Sequence, residues 1–525
     1  MRVLALDHID PEGLKILEEA GLEVEARGKM DEEDLKQSLP LYEALIVRSA
    51  TRVTAAALAA ARELRIIGRA GVGTDNIDVA AATERGILVV NAPEGNTVAA
   101  AEHTLALMLA MARNIPQADK LLKEGVWEKK KFLGVELRHK TLGILGLGKI
   151  GSEVARRARA FEMRLLAYDP FVPPEQAERL EVSLAPLEQV LREADFLTVH
   201  LPLTKDTYHL LGRRELGLMK PGARLLNVAR GGIVDEEALY EALSRGHLAG
   251  AALDVFEQEP ATSSPLFELD NVVVTPHLGA STAEAQRAVA VEVARDVVRC
   301  LRGEPVHNAV NIPVLRGPQA EALRPYLDLA ERLGGLLGQL MEGPILEAEL
   351  TVDGDLAQYD LSPLTNSFLK GLLRPLLGDA VNYVNAPVVA KKRGIRVREN
   401  KSRDMGYYTN LVRARLRGRR EEYLAAGTVN QAVEARLVGL NGYSLDTGLK
   451  GHLLYVPHID RPKIIGPVGL TLGDHGINIA AMQVGRREMG GEAVMIMSID
   501  SEVPREVIEA LRRIPGVLDV RYLYL

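Results

Sequence analysis

A single cysteine, Cys300, stands in 525 residues, so no intramolecular disulfide can form and no Cys-rich zinc site can be assembled. No metal is expected, and a reducing compartment, the cytoplasm, is the expected setting. Aromatic residues make up only 4% of the chain, and the basic run Lys391, Lys392, Arg393, Arg396 and Arg398 has none interleaved. The net charge is −7, so the basic excess of a general nucleic-acid binder is missing. No stretch approaches the roughly 20 uninterrupted apolar residues of a membrane helix; even Leu105 to Ala112 soon meets Arg113 and Asn114. The opening apolar run, Val3 to Leu6, is too short for a signal peptide, lacks a cleavage site and reads as a first strand. Neither nucleic acid nor a membrane is expected as a partner.

What is present is an ordinary globular mixture, 47% hydrophobic and 26% charged, in a chain too long for one core. About 150 residues per domain suggests three or four domains. Residues 2 to 95 alternate short apolar strands (Val3 to Leu6, Ala44 to Val47, Arg65 to Ile67, Ile87 to Val90) with helical patterns, as an α/β layer structure does. Helices are expected at Val98 to Ala112, with a hydroxyl cap from Asn96-Thr97, and from Pro116 to about Glu124. A second α/β run then extends from Thr141 to Thr275, and the helical pattern Ala283 to Leu301 returns the chain to the first unit. From about Asn311 a leucine-rich helix punctuated by Gly334, Gly335 and Gly338 opens a third unit. Residues 452 to 525 read strand, helix, strand, strand, helix, strand, the ferredoxin-like βαββαβ order. The expected domains are 1–97 with 282–312, 98–281, 313–450 and 451–525.

Between a strand and a helix expected near Ser152 lies Gly146-Leu147-Gly148-Lys149-Ile150-Gly151, a G-x-G-x-x-G fingerprint. Gly146 permits a tight turn, Gly148 lets backbone approach a pyrophosphate, and Gly151 lets the helix pack on the strand with its amides facing the anion. Asp169 ends the next strand at the offset of an acid that hydrogen-bonds the adenosine ribose. Its carboxylate would repel a 2′-phosphate, and Pro170 to Pro174 offers no arginine, so NAD is the expected cofactor.

Three further residues follow hydrophobic strand-like runs: Arg230 after Leu225 to Ala229, Glu259 after Ala249 to Val255, and His277 after Val272 to Thr275. Strand ends facing one crevice of an open α/β sheet are where ligands bind. Oxidation of a 2-hydroxy acid needs a base for the hydroxyl proton, a cation for the carboxylate and a C2 hydrogen aimed at the nicotinamide. His277 suits the first task, Glu259 would fix its tautomer, and Arg230 suits the second. Singly each has a plain alternative as a surface cation, a loop acid or a turn residue; the joint placement lifts them. Asp254 is a candidate for the nicotinamide carboxamide, with a capping acid as its alternative. His103, His200, His209 and His247 are read as structural.

The stretches NVARGGIVDEEAL, ALDVFEQEP and TPHLGAST resemble the D-2-hydroxyacid dehydrogenase family, and RAGVGTDNIDVAAATERGI its phosphoglycerate-oxidising members. The resemblance spans the chain. It implies a Rossmann-type nucleotide-binding domain inserted in a flavodoxin-like α/β substrate domain, then an α+β intervening domain and a ferredoxin-like ACT domain. It makes Arg230, Glu259 and His277 catalytic, and brings Val72, Gly146, Gly148, Lys149, Ile150, Gly151, Asp169, Val228, Ala229, Arg230, Asp254, His277, Leu278, Gly279 and Ala280 to NAD. Val72 stands where relatives often carry threonine. Arg48, Arg69 and Asn96 are implied to hold a phosphorylated substrate, 3-phosphoglycerate, and Trp127 with Lys129 to Lys131 can add positive charge, a helix-end cluster explaining them equally. In the ACT-like unit His458, Asp460 and Asn478 would hold L-serine; Asp460 replaces an asparagine of some members, and Lys463 stands where glycine usually follows the proline. A homo-oligomer, dimer or tetramer, is implied. The alternatives are another D-2-hydroxyacid dehydrogenase, acting on glycerate for example, and a non-catalytic NAD-sensing protein.

Overall fold

A computed structural model of the chain describes residues 1–315, 317–403 and 407–525. Short apolar runs between capped helices build the first sheet from Arg2–Ala5, Glu23–Ala26, Ala44–Val47, Ile66–Arg69 and Leu88–Asn91. All are parallel, in spatial order second, first, third, fourth, fifth, the flavodoxin-like order. Parallel strands covered on both faces are apolar throughout rather than alternating, and Ala44–Val47 is buried at every position. The edge strand Glu23–Ala26 has exposed ends and no apolar run for a sequence reading to detect.

The second sheet inserts between Leu88–Asn91 and a long returning helix. Its strands are Thr141–Leu145, Arg164–Tyr168, Ser183–Leu184, Phe196–Val199, Arg224–Asn227, Gly250–Leu253 and Val272–Val274. All are parallel, in the order 3-2-1-4-5-6-7 when numbered within this sheet, so the chain reverses direction beside its first strand, where dinucleotides bind. The helix Ala283–Leu301, capped by Thr282, then packs back on the first sheet. Val289, Val293, Val297 and Leu301 share one buried cluster with Val3, Ile46, Ile66 and Val90.

The third sheet has six strands, with Arg396–Ser402 at one edge pairing parallel to Ile345–Gly354 and the rest antiparallel. Gly334, Gly335 and Gly338 do not interrupt their helix, which runs continuously over Gly317–Leu340. The fourth sheet is the antiparallel set Ile479–Arg486, Glu492–Ile499, His452–Ile459 and Arg521–Tyr524, in that spatial order, with helices Ile465–Asp474 and Arg505–Arg512. Third and fourth sheets share a core, since Leu453, Tyr455, Val494, Ile496 and Leu523 bury in the same cluster as Leu333, Leu350 and Leu416.

Two local expectations are corrected. The helix after the glycine fingerprint begins at Lys149, because Gly148 rather than Ile150 or Gly151 takes the extended N-cap conformation. The helix Thr97–Ala112 has Asn96 at its N-cap, but no side-chain hydrogen bond caps it. Among the described residues no helix is long and apolar enough to cross a membrane, and no cluster of His, Cys, Asp and Glu could hold a metal ion. Burial pushes the Cys300 thiol up to about 11, which keeps it in the unreactive thiol form.

Candidate active site

The cofactor fingerprint closes the tip of the second sheet's first strand. Gly146 has φ of +93°, and a Cβ there would lie 2.6 Å from the His200 carbonyl oxygen. A Cβ at Gly151 would lie 2.0 Å from the Gly146 carbonyl oxygen, so the helix can start this close to the strand only with glycine. At Gly148 a Cβ would meet nothing within 4 Å; the backbone there faces open space. That space is a cavity of about 1130 Å³ lined by Gly146, Gly148, Lys149, Asp169 and His200, among others. Asp169 accepts from the Leu147 amide at 2.8 Å and the Phe171 amide at 2.9 Å, which holds its carboxylate at the cavity wall. Lys149 Nζ donates to Glu94 Oε1 at 2.7 Å, a pair that spans the mouth between the two units. The glycine-lined backbone, a free helix N-terminus and a fixed carboxylate fit a dinucleotide, its pyrophosphate on the amides and its ribose on the acid.

Of the catalytic candidates, His277 and Glu259 meet directly: His277 Nδ1 lies 2.7 Å from Glu259 Oε2, and Glu259 Oε1 accepts from the Phe256 amide at 3.1 Å. A carboxylate can only accept, so Nδ1 carries the proton and Nε2 keeps its lone pair for a substrate hydroxyl. Burial alone would raise the Glu259 pKa, but the hydrogen bond and charge of His277 and the Phe256 amide hold it below the ordinary value. The backbone of His277 has φ of +55°, the left-handed region that L-residues rarely adopt.

Arg230 lies on a loop braced by Asn227, whose Nδ2 donates to the Arg230 carbonyl at 2.9 Å while its Oδ1 accepts from the Ala229 amide at 3.1 Å. Arg230 Nε donates to Asp75 Oδ2 at 3.1 Å, across the cleft from the first unit. Asp75 had not been singled out as a site residue, although it lies inside the family-like stretch beginning at Arg69. Arg69 ends the fourth strand of the first sheet, with its Nη1 on the Ala70 carbonyl at 3.1 Å. Its Nε is buried with no partner, and so is Asn96 Oδ1. Burial, reinforced by the charges of Arg230 and Arg48, depresses the Arg69 pKa to about 10. Arg69 lies near enough to Arg230 and Arg48 to be repelled by both charges, and its unsatisfied Nε–H donor suits a polyanion. Val72 meets the site with a carbonyl already taken by Asn91 Nδ2 at 2.7 Å.

Asp254 is fully buried and its carboxylate holds the next turn: Oδ1 accepts from the Leu278 amide at 2.7 Å and Oδ2 from the Gly279 amide at 2.8 Å. That geometry is the capping acid of the plain alternative. His103, read as structural, has its Nε2 3.2 Å from both Asp254 Oδ1 and Thr275 Oγ1. A histidine on a helix far upstream gave no sequence signal for this meeting. His200 does stay internal to the fold, 2.9 Å from Thr198 Oγ1, and His247 faces the Leu216 carbonyl at 3.2 Å.

Three of the five cations of the basic run have carboxylate partners. Arg396 and Arg398 both pair with the buried Glu347, and Lys392 pairs with Glu84 of the first unit at 2.8 Å. In the fourth sheet, Asp460 lies by the Arg486 and Glu492 ends of its neighbours, whereas Asn478 donates to Asp500 beyond the opposite end. About seven residues of strand, roughly 23 Å at 3.3 Å per residue, separate them. One chain does not bring His458, Asp460 and Asn478 together.

Three family models match consecutive parts of the chain. Residues 105–279 match the D-isomer specific 2-hydroxyacid dehydrogenase NAD binding domain, 322–441 the D-3-phosphoglycerate dehydrogenase intervening domain, and 454–516 the ACT domain. The D-3-phosphoglycerate dehydrogenase of Methanocaldococcus jannaschii is 46% identical over 528 residues, covering 100% of both chains. That of Bacillus subtilis is 43% identical over 99% of both. The chain belongs to the D-3-phosphoglycerate dehydrogenase family. The first two units also resemble solved structures: the TT0316 protein of Thermus thermophilus, 39% identical with a TM-score of 0.55, covers 59% of this chain and 100% of its own. The NAD-dependent formate dehydrogenase of Staphylococcus aureus, solved with NAD, is 33% identical with a TM-score of 0.54 over 59% of this chain and 99% of its own.

Proposed function

We propose that this chain is the NAD-dependent enzyme that oxidises 3-phospho-D-glycerate to 3-phosphooxypyruvate, opening the phosphorylated route to L-serine. The observation that carries the reading is the union of a His277–Glu259 pair with an arginine, Arg69, whose buried Nε has no partner. The first is equipped for a hydroxyl proton and the second for a phosphate. The Gly146 to Gly151 loop and Asp169 would hold NAD, which would supply the acceptor for the C2 hydride. His277 Nε2 takes the hydroxyl proton, and the Glu259 carboxylate stabilises the imidazolium so formed. Arg230 orients the substrate carboxylate with the guanidinium face not engaged by Asp75, while Arg48, Arg69 and Asn96 receive the phosphate. The pairs Lys149–Glu94 and Arg230–Asp75 link the two units across the cleft, and closure of the units would exclude water from the hydride path. The working boundaries are 1–97 with 282–312 for substrate, 98–281 for NAD, 313–450 for the intervening unit and 451–525 for the ACT unit.

Serine binding and assembly extend the reading. Because Asp460 and Asn478 sit at opposite ends of one sheet, a serine site using both takes His458 and Asp460 from one copy and Asn478 from a second, so the effector site and a dimer imply each other. The exposed apolar residues Ile115, Leu122, Trp127 and Leu133 of the NAD-binding unit support a second interface between copies, and two interfaces of different kind allow a tetramer. The cytoplasm is the assigned location, in keeping with the single cysteine.

One assay tests the proposal: NADH formation from 3-phosphoglycerate and from glycerate, each with and without L-serine, for the wild type and His277→Asn. The expected result is strong preference for the phosphorylated acid, a kcat about 10²- to 10⁴-fold lower in His277→Asn with NADH binding retained, and slower turnover with serine. Equal use of glycerate would remove the phosphate assignment, and NADH binding without turnover in the wild type would make the chain a sensor.

A further inference from the structure

The catalytic histidine sits in an unfavourable backbone conformation, and what holds it there reaches back to another helix. His277 has φ of +55°, a conformation in which the Cβ of an L-residue crowds the following carbonyl oxygen. Its amide donates to the Asp254 carbonyl at 2.9 Å, and the following amides of Leu278 and Gly279 donate to the Asp254 carboxylate at 2.7 and 2.8 Å. One residue therefore fixes three consecutive amides of the turn that carries the base.

Asp254 can do this only if its own carboxylate is charged and correctly turned, although it is fully buried. Burial alone would raise its pKa, but hydrogen bonds from His103, Thr275 and the Leu278 amide overcome that and hold it below the ordinary value. Thr275 Oγ1 donates to Asp254 Oδ1 at 2.6 Å, so its single proton is committed. His103 Nε2, at 3.2 Å from both oxygens, must then be the donor, because a bare nitrogen lone pair would face two oxygen lone pairs.

We infer that His103 is a positioning residue of the reaction: its Nε2–H, together with the Thr275 hydroxyl, orients the Asp254 carboxylate, which in turn holds the His277 to Gly279 turn and with it the left-handed conformation of His277. His103 touches no reacting atom. It lies on Thr97–Ala112, the helix that enters the NAD-binding unit from the first unit, so the base is braced from the crossover between the two. This inference rests on the dehydrogenase reading for its rate measurements, and on the Asp254 geometry alone for its binding measurements.

The test compares His103→Ala, His103→Gln, Thr275→Val and the double variant His103→Ala/Thr275→Val. Each is assayed for kcat and KM with 3-phosphoglycerate, for NADH affinity by fluorescence titration, and for melting temperature. Loss of one hydrogen bond to a buried carboxylate is expected to lower kcat about tenfold and weaken NADH by a similar factor, with the substrate KM changed less than twofold. Glutamine restores an N–H donor, so His103→Gln is expected to recover at least half of the wild-type kcat. The double variant should lose less than the product of the single losses, because both act through one carboxylate. Wild-type kcat and NADH affinity in His103→Ala would overturn the inference, as would a His103→Gln enzyme as slow as His103→Ala at unchanged melting temperature. If His103→Ala does not fold, His103→Gln and Thr275→Val decide: a normal His103→Gln with a slowed Thr275→Val upholds the bracket, and any other pattern overturns it. A wild type that binds NADH without turnover would sink the dehydrogenase reading while leaving the affinity comparison able to test the bracket.

Discussion

At the scale of one side chain, the proposed substrate preference turns on Arg69. Its buried Nε has no partner, and burial with the nearby Arg230 and Arg48 charges lowers its pKa to about 10, so an anion relieves both penalties at once. Arg69→Gln should lower kcat/KM for the phosphorylated acid by about 10- to 100-fold, the worth of a charge-assisted hydrogen bond, and change the value for the unphosphorylated acid far less. Steady-state kinetics with both acids checks this. His200 makes a pH prediction. Burial depresses its pKa from 6.5 to about 4, so the folded state declines a proton that the unfolded state takes up below about pH 6.5. Its contribution is fully present above that pH and is lost as the pH falls toward 4, at up to about 1.4 kcal/mol per unit. The loss of stability between pH 7 and pH 5 should therefore be smaller in His200→Gln by about 2 kcal/mol, read from denaturant melts of the NADH-binding unit. His277 and Glu259 were legible in the sequence because each follows a buried strand near its ligand-facing end. Asp75 and His103 were not, because an exposed acid and a helical histidine look the same whether or not a partner arrives from far along the chain.

Helix contacts explain residues whose purpose the sequence leaves open. Gly334 and Gly338 punctuate a leucine-rich run, and the helix Gly317–Leu340 continues through them. They mark where the helix Ser362–Leu377 lies on it backbone to backbone. A Cβ at Gly371 would stand 1.9 Å from the Glu331 carbonyl oxygen, and one at Gly334 would stand 2.1 Å from that of Phe368. Helix propensity alone favours Gly→Ala by about 1 kcal/mol, so the sign of the change is diagnostic. Gly371→Ala should destabilise the third unit by about 1–3 kcal/mol through forced separation of the helices, whereas Ala at an exposed helical glycine such as Gly473, with nothing within 4 Å of its Cβ, should not. Thermal unfolding of the two variants separates propensity from packing.

Across the whole molecule the units are joined in series. Asn382 Nδ2 of the third unit donates to the Gly86 carbonyl of the first at 2.8 Å, and Lys392 pairs with Glu84 at the same distance. Val384 enters the first unit's buried cluster. The third and fourth units are tied more strongly, through one shared core in which Tyr455 and Leu523 lie with Leu333 and Leu416. A chain ending at residue 450 would expose that apolar face, and such faces associate in water. It is expected to keep NADH binding in the first two units, to lose the cooperative melt of the third, and to self-associate in sedimentation velocity runs. Independent, unshifted melting of the third unit in that chain would contradict a shared core.

The sequence by itself determined the order of elements, the dinucleotide loop and the His277, Glu259 and Arg230 trio, because period, turn chemistry and strand-end position are local properties that neighbours along the chain impose. Only the tertiary structure decided which groups meet. It placed Asp75 on Arg230, His103 on Asp254 and Glu347 under Arg396 and Arg398, and it set Asp460 and Asn478 at opposite ends of one sheet. Those outcomes depend on sheet order and helix docking, which bring residues as far as 296 positions apart into hydrogen-bond range, and no local pattern encodes a distance of that kind.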